Sequence, residues 1–277
     1  PARPGYTSNA DNTGSLKCEV GKYTSEMATP ACLLCSPGSF GVDQPTIFDQ
    51  TVSFCQAASK GYHVPTEGAT EQIKCLAGHY SDILGAVVCK DCVPGRFSKI
   101  LFTANEQCEY CYPGYEAPYP RATKCDECQP GSFAPFPGGN PTCTMCPAGQ
   151  IAPHVVQINC SSSPVGHVPN IARTAHSPCP PGSFADQIGM SACIACPSGF
   201  TAPLTASSGC IGCATGRASD VVGFAGLHCP ACVAGRYTNA TKSPACKLCP
   251  DGRFTEHAGA IHCMLASLGH VPVEPRS

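Results

Sequence analysis

Residues 160–169 read CSSSPVGHVP, and residues 193–201 read CIACPSGFT. The second stretch shows the habit of the chain, C-x-x-C followed by C-x-x-G. In the first, Cys160 and Gly166 keep their places but Ser163 stands where the second cysteine belongs. Resolving that difference fixes the architecture. Working outward, the 24 cysteines divide into twelve openers and twelve closers. Every opener is followed by two residues and then Gly, as in CEVG at 18, CVPG at 92, CPPG at 179 and CPDG at 249; no closer is. Pairing each opener with the next cysteine gives Cys18–Cys32, Cys35–Cys55, Cys75–Cys89, Cys92–Cys108, Cys111–Cys125 and Cys128–Cys143. It continues with Cys146–Cys160, Cys179–Cys193, Cys196–Cys210, Cys213–Cys229, Cys232–Cys246 and Cys249–Cys263. Eleven of these loops hold 13 to 15 intervening residues, the loop of Cys35–Cys55 holds 19, and no cysteine is left over.

Ser163 therefore opens a module without its cysteine, and the matching closer position, His176, also lacks one. The same double loss occurs at Ala58 with Gln72 and at Ala2 with Ser15, while Ala266 opens a further such module. Loss in pairs is how true disulfide partners behave, and it supports the pairing, although spacing alone does not prove connectivity. The unstapled modules share HVP: His63, Val64 and Pro65; His167, Val168 and Pro169; His270, Val271 and Pro272. The three histidines stand 104 and 103 residues apart. The expected organisation is an N-terminal segment at 1–57, two six-module blocks at 58–162 and 163–265, and the start of another unstapled module at 266–277.

Composition agrees with a stapled scaffold. The 277 residues include 28 Gly and 28 Pro but no Trp. Such a chain orders itself through cross-links in an oxidising compartment, which predicts an extracellular or cell-surface location. A net charge of −2 without a basic run argues against nucleic acid. No apolar stretch approaches the roughly 20 residues that span a bilayer. The opening PARPGYTSNA has neither Met nor a signal sequence, as expected of a processed protein or a fragment of a longer one.

Within a module, Pro-Gly after the opener signals a turn, and an aromatic follows at the fifth position in eight modules, among them Tyr23, Phe97, Phe184 and Phe254. The predicted fold class is small disulfide-rich repeats: an elongated solenoid or rod of about 17-residue modules with short β-strands and turns and little or no helix, stabilised by stacking of neighbours. The pattern C-x-P-G-x-[FY] with a fixed interval to the next C-x-x-C resembles the ephrin-receptor-like cysteine-rich repeat. That repeat belongs to the broader growth-factor-receptor and tumour-necrosis-factor-receptor-like class, and similar arrays occur in surface proteins of protists and algae. The resemblance implies local disulfide pairing and an extracellular stalk.

Chemistry other than disulfides finds little support. A four-cysteine zinc site, for example at Cys193, Cys196, Cys210 and Cys213, would strand six cysteines that belong to no C-x-x-C. Thioredoxin-like exchange needs C-x-x-C at a helix N-terminus, whereas these pairs lie between Gly/Pro turns. Glu67 and Glu274 follow their histidines by four residues, but Pro65 and Pro272 intervene and oppose a helix. No catalytic constellation or cofactor site stands out, so the chain is not expected to be an enzyme. Basic residues after the Gly (Lys22, Arg96, Arg217, Arg236 and Arg253) read mainly as a solvated face, with contact to an acidic partner or glycan as the alternative. Sequons mark Asn239 and, with a cysteine at its centre, Asn159. The leading functional expectation is a structural protein whose copies associate through the HVP modules into a filament, appendage or coat. The alternative is a receptor or adhesion ectodomain that binds a protein ligand.

Overall fold

The fold starts from the turn that each opener introduces. In the module opened by Cys179, Pro181 presets φ, Gly182 takes φ 85°, and the Ser183 N–H donates to the Pro180 carbonyl at 3.1 Å. Pro followed by a positive-φ Gly under an i to i+3 bond is a type II turn. The turn launches Ser183–Phe184, which pairs antiparallel with Ile194–Ala195, the two residues between Cys193 and Cys196. The C-x-x-C spacers are therefore not linkers but the second strand of each hairpin. Cysteines beside the paired strands are held 5.6 to 5.8 Å apart at Cα, an ordinary disulfide span.

The computed structural model describes residues 2–27, 29–45, 51–99, 104–136 and 141–266. Among them, 28 short strands pair consecutively into 14 two-stranded antiparallel sheets, with no helix. The module opened by Cys213 has only the bridge Arg217↔Ala231. The longest hairpin, Ser39–Pro45 with Thr51–Ala57, takes up the extra residues inside Cys35–Cys55. Twelve disulfides close the modules in the order Cys18–Cys32 to Cys249–Cys263, and no cysteine is free.

Backbone bonds, not side chains alone, tie consecutive modules together. Between the modules opened by Cys179 and Cys196, Cys196 N donates to Gly182 O at 2.9 Å and Gly182 N donates to Ala202 O at 2.7 Å. Ala185 N donates to Ser207 O at 3.1 Å, and Ala206 N returns a bond to Cys179 O at 2.9 Å. The bond from opener to preceding glycine continues without interruption through unstapled positions: Ala58 N to Gly38 O, Ser163 N to Gly149 O and Ala266 N to Gly252 O.

Burial follows the same frame. The openers Cys35, Cys92, Cys128, Cys146, Cys179 and Cys196 are fully buried, and so are Ala58 and Ser163 in the unstapled modules. Six residues after each opener sits a small buried residue, such as Ser81, Ala134, Ala152, Ala185 or Thr238. The ring of Phe97 packs on Cys111 and Ala117 of the next module, with Tyr115 and Cys125 beside them. Burying a side chain of this size stabilises the stack by about 2 kcal/mol.

Contacts also reach two modules ahead. A Cβ on Gly149 would lie 1.8 Å from the Gly189 carbonyl oxygen, and one on Gly182 would lie 2.0 Å from that of Gly223. The residue offering this carbonyl occupies a second left-handed turn ten positions after its opener. Gly189 and Gly223 serve there, but so do Arg121, Ala206 and Lys242 with φ between 56° and 64°, whereas the carbonyl facing Gly131 is that of Ala172, one residue before the left-handed Arg173. Two compact units are present: residues 1–128 with 134–143, and residues 129–133 with 144–277.

Candidate interaction surface

The unstapled modules keep the hairpin of their stapled neighbours. Register in the second complete one runs His167↔Pro178, Val168↔Ser177 and Pro169↔His176, so His176 occupies the place of a closing cysteine. Its Nδ1 lies 3.1 Å from Ser163 Oγ, in the opener position. A side-chain hydrogen bond thus stands where a disulfide would be. In the module opened by Ala58, Gln72 Oε1 accepts from the Ser59 N–H at 2.7 Å and closes the loop by another route.

The HVP residues enter this architecture rather than standing out from it. Val64 is fully buried; its N–H donates to Ala86 O and its carbonyl accepts from Gly38. As an assembly contact Val64 is corrected: a side chain without exposed surface cannot meet a neighbour, and here it packs the stack. His63 is half-buried with Nδ1 3.1 Å from Cys89 Sγ, and Pro65 is exposed. His167, Val168 and Pro169 are half-buried, and His167 Nδ1 contacts the Val165 carbonyl at 3.2 Å. His270, Val271 and Pro272 lie outside the described residues.

The basic residues after the glycines have local partners. Arg217, Arg236 and Arg253 each donate to the carbonyl of their own closing cysteine, Cys229, Cys246 and Cys263, at 2.8 to 3.3 Å. Arg96 stacks on the Tyr110 ring at 3.7 Å and donates to its hydroxyl. Lys22 pairs with Glu19 at 2.7 Å, and that hydrogen bond holds the Glu19 carboxyl below its ordinary value. Asp43 is held low first by its hydrogen bond to Lys17 (2.6 Å) and then by one from Ser53. These pairs bind the chain to itself. Asn239 and Asn159 both lie exposed.

What the cysteine pattern does not reveal is a row of exposed aliphatic side chains at the loop tips. Val155, Ile171, Ile188, Leu204 and Val221 belong to five consecutive modules, each one or two residues before the left-handed turn. Ile171 is entirely exposed at 101%, and Leu204 is 69% exposed. Exposed aliphatic surface thus recurs in the same loop of each of these modules. No fixed neighbour marks them in the sequence: the turn residue that follows is Gly in two of the five modules, as in DQIGM at 186–190, and Val156, Arg173 or Ala206 in the others.

Sites for small molecules or ions are sparse among the described residues. A shallow depression of about 290 Å³ lies against Val221, Phe224, Val233 and Arg236. His63, Cys75 and Cys89 bring three donor atoms within 4.8 Å, but both sulfurs are engaged in the Cys75–Cys89 bond and cannot act as thiolate ligands. No described helix is long and apolar enough to cross a membrane.

Residues 221–263 match the family described as tyrosine-protein kinase ephrin type A/B receptor-like. The match covers the end of the Cys213 module and the whole of the modules opened by Cys232 and Cys249. No curated protein matches the chain. A chain with twelve disulfides, part of it receptor-like in this sense, is extracellular or secreted.

Proposed function

We propose that this array of ephrin-receptor-like modules is the ectodomain scaffold of a receptor or adhesion protein, with no catalytic role, holding its loop tips for contact with another protein. The observation that carries this reading is the row of exposed aliphatics at Val155, Ile171, Ile188, Leu204 and Val221. Backbone bonds at the adjoining turns, such as Gly189 N to Ser163 O and Ala206 N to Cys179 O, hold the loops that carry them, which lowers the entropic cost of binding.

A second reading is self-association into a filament, appendage or coat. The once-per-module recurrence of the aliphatics favours it, because another copy of the chain would match that interval in step. Secreted, unreduced chain and its Ile171→Asp/Leu204→Asp variant, compared by sedimentation and negative-stain microscopy, separate the two. The ectodomain reading expects monomers at every concentration and cell-surface binding that the variant loses. Regular fibres that the variant abolishes would transfer the function to self-association. Monomers that bind cells equally well with and without the substitutions would remove the loop tips from either role.

A further inference from the structure

Cys75–Cys89 differs from the other disulfides in what lies beside it. It is the one disulfide among the described residues with an imidazole nitrogen within hydrogen-bond distance of a sulfur, His63 Nδ1 at 3.1 Å from Cys89 Sγ. A disulfide sulfur carries no proton, so the ring donates and Nδ1 holds the hydrogen. The imidazole is also within 4.8 Å of Cys75 Sγ. The corresponding histidine ahead of Cys179–Cys193, His167, turns its Nδ1 to the Val165 carbonyl instead. The two cysteines differ in exposure: Cys75 is 3% exposed, whereas Cys89 is half-buried.

We infer that Cys75–Cys89 is a thiol-exchange site, opened at Cys89 by a small-molecule thiol and assisted by His63. The thiolate of the small molecule attacks Cys89 Sγ, the sulfur of the more exposed cysteine. The Cys75–Cys89 bond breaks, its electron pair passes to Cys75 Sγ, and Cys89 carries the small thiol as a mixed disulfide. A second thiolate attacks the sulfur of that adduct, releasing Cys89 as a thiolate beside His63 Nδ1 and forming the disulfide of the reagent. Two protons, given up when the two reagent thiols ionised, complete the protein thiols. In the first step the departing Cys75 sulfur leaves within 4.8 Å of the imidazole, and in the second Cys89 leaves in contact with Nδ1; a nearby imidazolium favours thiolate over thiol.

Opening this bond has a structural consequence, one it shares with the other disulfides that border an unstapled module, Cys179–Cys193 among them. The adjacent module at 58–74 is already without a disulfide, so residues 58–91 become two successive modules without a cross-link, held by backbone bonds and by side-chain contacts such as Gln72–Ser59 and Lys90–Asp82.

The test is to treat the folded chain with reduced glutathione, quench with acid, alkylate free thiols and map the peptides over time. Glutathione on Cys89 with alkylated Cys75 should appear before any modification of Cys179 or Cys193. His63→Gln should slow that step at least about threefold, with Cys179–Cys193 unchanged in the same sample. Equal rates at the two disulfides, simultaneous opening of all twelve, or adducts on Cys75 rather than Cys89 would each overturn the assignment. If the substitution speeds the control disulfide, it has loosened the fold, and the comparison within the unsubstituted chain decides. None of these outcomes depends on what the loop tips bind.

Discussion

At Gly149 two demands meet on one Cα. Its φ of 83° is left-handed, and any Cβ would be driven to 1.8 Å from the Gly189 carbonyl. The first demand is written in C-x-x-G, but the second is not, because a carbonyl belongs to any residue type. Arg121 and Lys242 offer it to other glycines. Gly149→Ala should cost at least about 3 kcal/mol, read as lost hydrogen-exchange protection across 146–195. Asp43 shows a gentler residue effect. Lys17, then Ser53, depress its carboxyl below the unfolded value, so its contribution is full above the unfolded carboxylate range. That contribution disappears as pH falls through the lower, folded value. Both side chains are about one-third exposed, so after solvent screening the effect is about 1 kcal/mol or less. Asp43→Asn should flatten the acid limb of a denaturation-midpoint profile between about pH 2 and 5.

For the hairpin, the cysteine is a reinforcement rather than the cause. His167–Pro169 pairs with His176–Pro178 as Ser183–Phe184 pairs with Ile194–Ala195, one pair longer and without a disulfide. Because Ser163 and His176 already touch, Ser163→Cys/His176→Cys should close spontaneously during oxidative folding. The added bridge should stabilise its module by about 3 kcal/mol. Loss of two hydrogens in the intact mass, together with slower exchange at 163–178, would establish both points. Modules were legible from the cysteines, since openers and closers punctuate the chain at nearly constant intervals. The hairpin's second strand was not. Two residues are too few to display the alternation by which a strand announces itself, and Ile194, Ile211 and Leu248 are exposed although they belong to strands.

Across the whole molecule, order is a sum of near-neighbour terms. A module bonds to the next and touches the one after it, so a defect should spread that far and stop. The exchange lesion of Gly149→Ala is therefore expected to leave the module opened by Cys249 at its original protection. The division into two compact units falls inside the module opened by Cys128, where no change of composition marks it. The aliphatic loop tips escaped the sequence for a different reason. Single apolar residues in loops are ordinary, and these five stand eight or nine places after their openers with no constant neighbour to mark them.

The reach from one glycine to a carbonyl two modules later also sets a clock for biosynthesis. As the chain emerges, the segment around Gly149 can close its own disulfide once Cys160 is out, yet the surface that Gly189 will cover stays bare until 29 residues more have been made. Growth therefore always carries an unfinished end about two modules deep, followed by sealed chain. A chaperone or oxidase that guards such a nascent chain needs to shelter only that moving end, however many modules the gene encodes.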